Sequence, residues 1–220
     1  LVLAGDHCQL PPTILSSDAQ RLGFDLSLMQ RLVEQWGDVI SRQLTTQYRM
    51  HEQIMRFSSA EFYESSLIAA DSVREHLIAD LPHVASAALT QTAMQFIDTA
   101  GSDCVEVAES EGSSRNNPGE ADVVARQVTE LLDAGVAPSE IAVITPYAAQ
   151  ARLLRTLIGN AAIEIDTVDG FQGREKEAIV ISLVRSNTTG EVGFLSDTRR
   201  TNVALTRARR KLIVIGDSST

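Results

Sequence analysis

Three short runs in this chain, 141–145, 178–184 and 212–216, are almost uninterrupted in apolar residues and rich in Val and Ile. Continuous runs of this length suit strands buried on both faces of a parallel sheet. Between them the spacing changes to that of helices. Asn117-Pro118-Gly119-Glu120 supplies a capping residue, a proline at the first helical position and a glutamate at the third. Ala121, Val124, Val128, Leu131 and Leu132 then form one apolar stripe. Thr145-Pro146 predicts a second start of the same kind, with Ala148, Ala151 and Leu154 inward, and another helix is predicted near His51 to Tyr63. Alternating strand and helix predicts an α/β layer, doubly wound about a mostly parallel sheet.

The ends of the pattern are less regular. Leu1 to Ala4 reads as a strand cut off by Gly5-Asp6, so a domain boundary is expected to have been cut through there. The Ser-rich, acidic stretch at about 106–116 reads as an exposed loop without a core of its own. Residues 65–95 are weakly patterned. Trp36 ends a helix and reads as core.

With 220 residues and 44% apolar composition, the chain can bury a substantial core, which excludes disorder as its dominant state. No apolar run approaches the roughly 18 residues of a membrane span, and no leader segment is recognisable, so the expected location is intracellular and soluble, cytoplasmic or nuclear, with no membrane partner. Cys8 and Cys104 lack partners at metal-binding spacing and read as free thiols. The four histidines lack ligand spacing, so no metal site is assigned within the chain.

The net charge of −10 argues against a broad basic surface. The charge is nevertheless segregated. Acids from Asp98 to Asp122, Glu111 among them, face only Arg115, whereas Arg199 onward carries five arginines and Lys211 against Asp217. The basic side is almost all arginine, whose planar fork suits phosphate.

Four strings carry candidate chemistry. In Gly5-Asp-His-Cys-Gln9-Leu-Pro-Pro, Gln9 is expected at the carboxyl end of a strand, where open α/β sheets bind ligands; a Gly-Asp turn and a Pro-Pro stop account for the string equally. In Gln47-Tyr48-Arg49, the tyrosine offers a face on which a base can stack and the arginine can reach phosphate; a half-buried tyrosine beside a solvated arginine is the alternative. In Thr167-Val-Asp-Gly-Phe-Gln-Gly173-Arg-Glu175, the glycines permit close approach of a ligand. The Thr167 hydroxyl suits phosphate and the Glu175 carboxylate suits ribose, although a connecting loop fits the same letters. The fourth string, Arg199 to Arg209, is read as one helix with Arg200 and Arg207 two turns apart on one side, and with Val203 and Ala204 packing it down. Arginines so close to apolar positions incur desolvation unless an anion pairs with them.

Taken together, these strings resemble the Upf-like group of superfamily 1B helicases, of the immunoglobulin mu-binding-protein type. The matching segments are 5–12, 47–51, 168–177 and 200–209, extended by Asn117-Pro-Gly-Glu, Ile144-Thr-Pro-Tyr147, 182–187 and 191–195. The resemblance implies a RecA-like lobe with the P-loop NTPase fold. Residues 1–13 would finish a truncated first lobe, and 14–220 would form the second. It implies ATP in the cleft between lobes and single-stranded or duplex RNA or DNA across both. Gln9 would sense the γ-phosphate and attacking water, Tyr48 would stack on adenine, and Glu175, beside Gly173, would hold the ribose. Arg49 and Arg207 would be arginine fingers, and Thr145, Pro146, Tyr147 and Thr167 would touch the nucleic-acid backbone. The chain has no G-x-x-x-x-G-K-[ST] loop and no Asp-Glu strand end, so the ligands of Mg²⁺ are expected in the first lobe of the same polypeptide, and this piece alone is expected to be inactive. The rival readings are a non-catalytic nucleic-acid-binding or scaffold module that kept the fold, and an unrelated Rossmann-like enzyme. The combination of Gln9, Arg49, Glu175 and Arg207 opposes the first, and the missing G-x-G-x-x-G opposes the second.

Overall fold

The computed structural model describes residues 2–12, 14–109 and 114–220. Leu1, Thr13 and residues 110–113 of the expected acidic loop lie outside the described residues. The chain divides into two compact units, Leu1–Thr45 and Thr46–Thr220.

In the first unit residues 2–4 of the segment read as a strand form no strand, because among the described residues no ladder partner exists for them. The chain turns at Asp6, whose carbonyl accepts from Gln9 N at 3.3 Å. Helices α1 (Ser17–Arg21) and α2 (Leu28–Trp36) follow. Their capping serines, Ser16 and Ser27, accept from the third residue onward, satisfying donors that a helix start leaves open. Trp36 does end α2, but it is 52% exposed and not core.

The second unit opens with β1 (Thr46–Gln47), followed by α3 (Glu52–Phe62) and β2 (Ile68–Ala69), which pairs with β1 in parallel. Then come β3 (Met94–Asp98), a short antiparallel hairpin of β4 (Val107–Ala108) and β5 (Arg115–Asn116), and α4 (Pro118–Asp133). The remaining elements are β6 (Ile141–Thr145), α5 (Ala148–Ile158), β7 (Glu164–Thr167), β8 (Lys176–Ser182), α6 (Thr198–Leu205) and β9 (Ala208–Gly216). Five strands form one parallel sheet in the order β3-β9-β8-β6-β7.

Side chains alternate across this sheet. Ile141, Val143, Ala178, Val180, Ile213 and Ile215 pack with Ala121, Val124, Val128 and Leu131 of α4 and Ala151 and Leu154 of α5. On the opposite face Ile181 and Val214 line, with Ala204 and Leu205 of α6, an apolar cleft of about 340 Å³ to which Phe57, Phe96 and Phe194 also contribute. Helices thus cover both faces, and the doubly wound reading holds.

Four local expectations are corrected. First, α5 starts at Ala148, because Tyr147 is extended and offers no side-chain cap; Ser114 Oγ accepts from Ala149 N at 3.0 Å instead, and Ala149 rather than Ala148 is buried. Second, α6 stops at Leu205, so Arg207 and Arg209 are not helical and do not share a side with Arg200. Third, the acidic segment is partly structured: Glu106 is held by Arg185 and Arg115 beside the β4–β5 hairpin. Finally, 65–95 holds β2 and leads into the edge strand β3.

Candidate functional site

The turn after β1 is shaped by one side chain. Gln47 Oε1 accepts from Arg49 N at 2.9 Å and Met50 N at 2.8 Å, while its Nε2 donates to Met50 O at 2.8 Å. That leaves Tyr48 70% exposed and turns Arg49 inward. The following residue but one, His51, caps α3 by accepting from Gln53 N at Nδ1, and donates its own backbone N–H to Arg209 O. His76 Nε2 reaches the same carbonyl at 2.8 Å. Burial lowers the pKa of both imidazoles, and His76 lowers that of His51 further, which keeps the Nδ1 acceptor of His51 available. The start of α3 is thereby tied to the start of β9.

Arg49 consequently lies against Glu175. Its Nε donates to Glu175 Oε2 and its Nη1 to Thr206 O at 3.1 Å, while Arg209 Nη1 donates to Glu175 Oε1 at 3.1 Å. Arg207, 3% exposed, sits in the turn between α6 and β9. Its Nε donates to Val203 O at 2.9 Å and its Nη2 to Thr206 Oγ1 at 3.1 Å. Arg49, Glu175, Arg207 and Arg209 therefore gather around Thr206 at the amino ends of β8 and β9. Tyr48 and Arg49 follow the small β1–β2 sheet, and the partners of Arg49 come from the amino side of the large one. Gly173, with φ +79°, has open space where a Cβ would stand. Arg200 is engaged elsewhere, pairing with Asp197 at 2.9 Å and Asp169 at 3.5 Å.

The second group lies at the carboxyl ends of β6 and β7, where open sheets bind ligands. Thr145 and Thr167 are register partners, and Val168 N donates to Thr145 O at 3.2 Å. Thr167 Oγ1 accepts from Gly170 N at 3.3 Å. Thr145 Oγ1 is buried and, among the described residues, has no hydrogen-bond partner. Tyr147, 3% exposed, packs on Phe194 at 5.3 Å and receives Arg185 Nη1 at 3.4 Å. The Thr167–Glu175 string thus runs from one end of the sheet to the other and serves two groups.

Gln9 belongs to the first unit, where its Nε2 donates to Asp6 Oδ2 at 2.9 Å. Asp6, His7 and Cys8 bring three metal-capable atoms within 4.8 Å of one another, but they are consecutive residues of an accessible turn. Both cysteines are free thiols.

Sequence reasoning missed Gln47, Thr206 and Arg209, and it took Glu120 for a helix-start residue alone. Asn117 Oδ1 does cap α4 by accepting from Glu120 N at 3.0 Å. The Glu120 carboxylate instead accepts from Ser182 Oγ at 2.5 Å and Val184 N at 2.9 Å. An acid inside a buried Asn/Gln/Ser group was the available signal.

The model of the AAA domain family AAA_12 matches residues 24–219. The chain belongs to that family. DNA-binding protein SMUBP-2 of Mesocricetus auratus is 51% identical over 221 residues, covering 100% of the chain and 22% of that protein. DNA polymerase alpha-associated DNA helicase A of Schizosaccharomyces pombe is 45% identical over 228 residues, covering 100% of the chain and 34% of that protein. The regulator of nonsense transcripts 1 homolog of Neurospora crassa is 41% identical over 226 residues, covering 99% and 20%. This AAA domain is a superfamily 1 helicase C-terminal lobe. It spans only a fraction of the length of these relatives, and among the described residues no helix is long and apolar enough to cross a membrane.

Proposed function

We propose that the chain is the C-terminal motor lobe of an ATP-dependent helicase that translocates 5′ to 3′ along RNA or DNA, within an intracellular protein of cytoplasm or nucleus. The observation that carries this reading is the gathering of Arg49, Arg207 and Arg209 about one carboxylate and Thr206. Guanidinium groups held by backbone carbonyls and a hydroxyl are prearranged for the charge that develops on a transferring phosphoryl group. Arg49 and Arg207 act as the two fingers, Glu175 takes the ribose beside Gly173, Tyr48 stacks on the base, and Gln9 reads the γ-phosphate and water. Thr145, Pro146, Tyr147 and Thr167 meet the nucleic-acid backbone at the other end of the sheet. Residues 1–13 finish the first lobe of the same polypeptide, and the rest is the second.

Phosphoryl transfer from ATP uses Mg²⁺. Two guanidinium groups on one carboxylate, with the third beside it at Thr206, do not fit a divalent cation, so the part played by these residues is electrostatic and the ligands of the ion are assigned to the first lobe.

The test is unwinding by the full-length protein of duplexes carrying a 5′ or a 3′ single-stranded tail, with ATP hydrolysis followed in parallel. Unwinding from the 5′ tail alone, lost with Arg207→Ala, is the expected result. Oligonucleotide binding without any ATP hydrolysis would instead identify a scaffold module that kept the fold.

A further inference from the structure

Val184 is a β-branched residue at φ +73° and is completely buried. Left-handed backbone is rare for such a residue, and when it persists the surroundings must enforce it. Here both polar groups of its backbone are gripped by side chains from the start of α4. Glu120 Oε1 accepts from Val184 N at 2.9 Å, and Asn117 Nδ2 donates to Val184 O at 3.1 Å. The grip is itself braced. Ser182 Oγ donates to Glu120, Gln150 Nε2 donates to Ser182 Oγ at 2.9 Å, and Gln150 Oε1 accepts from Asn117 N at 2.8 Å.

Helix capping does not account for this arrangement, because the Asn117 side chain already caps α4 through Oδ1. Core stability does not account for it either. Glu120 is fully buried and its Oε2 has no hydrogen-bond partner among the described residues, a combination that weakens a fold. What the strained residue does is aim the next one. Arg185, 4% exposed, donates through Nε to Glu106 at 2.7 Å and reaches the Tyr147 hydroxyl through Nη1. The space is closed by Gly193, where an added Cβ would stand 2.1 Å from Arg185 Nη1 and 2.6 Å from the Tyr147 hydroxyl.

We propose that Asn117 and Glu120 are positioning residues for nucleic-acid binding: they clamp Val184 in left-handed backbone and so hold the buried Arg185 and Tyr147 that support the carboxyl end of β6, the end that the strand of nucleic acid meets. The inference rests on the reading of Thr145–Tyr147 as a nucleic-acid contact.

The experiment uses the full-length protein and two probes, a fluorescein-labelled oligothymidylate and a fluorescent ADP. Glu120→Ala is expected to weaken oligothymidylate binding by roughly 10- to 100-fold, the scale on which supporting shells act, with ADP affinity unchanged. Glu120→Gln keeps an acceptor for Val184 N and retains binding. Glycine adopts positive φ without steric cost, so adding Val184→Gly to Glu120→Ala restores the affinity. Should Glu120→Ala not fold, Asn117→Asp keeps the cap acceptor while removing the donor to Val184 O, together with that to Cys104 O, and is likewise expected to lose binding and to be rescued by Val184→Gly. Equal loss of both ligands, or failure of Val184→Gly to rescue either variant, overturns the clamp. If Tyr147→Ala leaves oligothymidylate affinity intact, the nucleic-acid reading of this end fails and takes the proposal with it. If Tyr147→Ala weakens binding while Glu120→Ala does not, the clamp alone is wrong.

Discussion

The guanidinium of Arg49 is paired with the carboxylate of Glu175 across 126 positions of sequence, and both groups remain more than a third exposed. An ion pair so accessible adds only about 0–1 kcal/mol to stability. Its significance lies in what it orients. Glu175 holds Arg49 with one oxygen and Arg209 with the other. Glu175→Gln is therefore expected to leave the thermal midpoint within about 2 °C of wild type, while raising KM for ATP several-fold with kcat less affected. Steady-state kinetics together with calorimetry check this, and a large loss of stability with unchanged KM would make the pair structural.

Arg207 poses the opposite balance, because it is buried and hydrogen-bonded to Val203 O and Thr206 Oγ1. Removing it weakens the end of α6 as well as the site. We expect Arg207→Ala in the full-length protein to lower kcat by roughly 10³- to 10⁵-fold with nucleotide affinity nearly intact, since a finger acts chiefly in the transition state. Arg207→Lys recovers little, as an ammonium cannot reproduce the fork. Single-turnover hydrolysis and labelled-nucleotide titration decide it, and equal loss in both would mean that Arg207 anchors ground-state phosphate.

The legible part of the fold was that in which one physical signal dominates. Ile141–Thr145 is apolar on both faces and is β6 to the residue. The cap and stripe of α4 were plain because Asn117-Pro118 and the 3.6 spacing agree. The arginine string failed because periodicity could not show that Thr206 ends α6, where its hydroxyl turns back to Asn202 O at 2.8 Å. Glu120 was misjudged for a related reason. Its local position predicts a helix-start role, and only the tertiary fold brings Ser182 and Val184 within reach. In the site, motifs singled out Arg49, Glu175 and Arg207, and the structure brings them to one end of the sheet around Thr206. Arg209 was not singled out, since an arginine opening a strand carries no local signature.

Burial lifts the Glu120 carboxyl to about 7 from its ordinary 4.5, with the Asp217 charge adding to the rise and the bonds from Ser182 Oγ and Val184 N opposing it. Between those values the folded chain keeps a proton that the unfolded chain has released. This contribution to stability is complete below pH 4.5 and is lost as pH rises through 7. The span corresponds to about 3 kcal/mol as an upper bound. Glu120→Gln cannot titrate, so its melting temperature relative to wild type is expected to rise from pH 5 to pH 8. A constant difference across that range would show that Glu120 does not carry the proton.

Lys211 has the reverse linkage. Completely buried, it donates to Thr92 O at 2.9 Å and Thr92 Oγ1 at 2.8 Å, and desolvation lowers its pKa to about 8 from 10.5. Between pH 8 and 10.5 the unfolded chain binds the extra proton, so the contribution is present above pH 10.5 and is lost as pH falls through 8. At pH 7 the buried charge costs at most about 3 kcal/mol, part of it offset by the bonds to Thr92. Lys211→Met removes that cost and leaves the exposed Thr92 to water. It is expected to raise the melting temperature at pH 7 by about 5 °C and to confer no advantage at pH 10.5. A destabilised variant at pH 7 would mean that the two bonds to Thr92 outweigh desolvation.

Tyr48 offers the cleanest separation of binding from folding. Its ring is 70% exposed, so truncation removes little buried area, and the turn beneath it is shaped by Gln47 and not by the ring. Tyr48→Ala is accordingly expected to leave stability within about 0.5 kcal/mol of wild type, as surface substitutions do. A stacking face reads the flat shape of a base more than its hydrogen-bond pattern, so the variant is expected to lose about 1–2 kcal/mol of affinity for ATP and CTP alike, while Tyr48→Phe keeps it. Parallel titrations of both nucleotides with wild type and the two variants check the expectation. A loss confined to ATP would point to recognition of the adenine edge, and unchanged affinity for both would remove Tyr48 from the nucleotide site, leaving its exposure without a ligand to explain it.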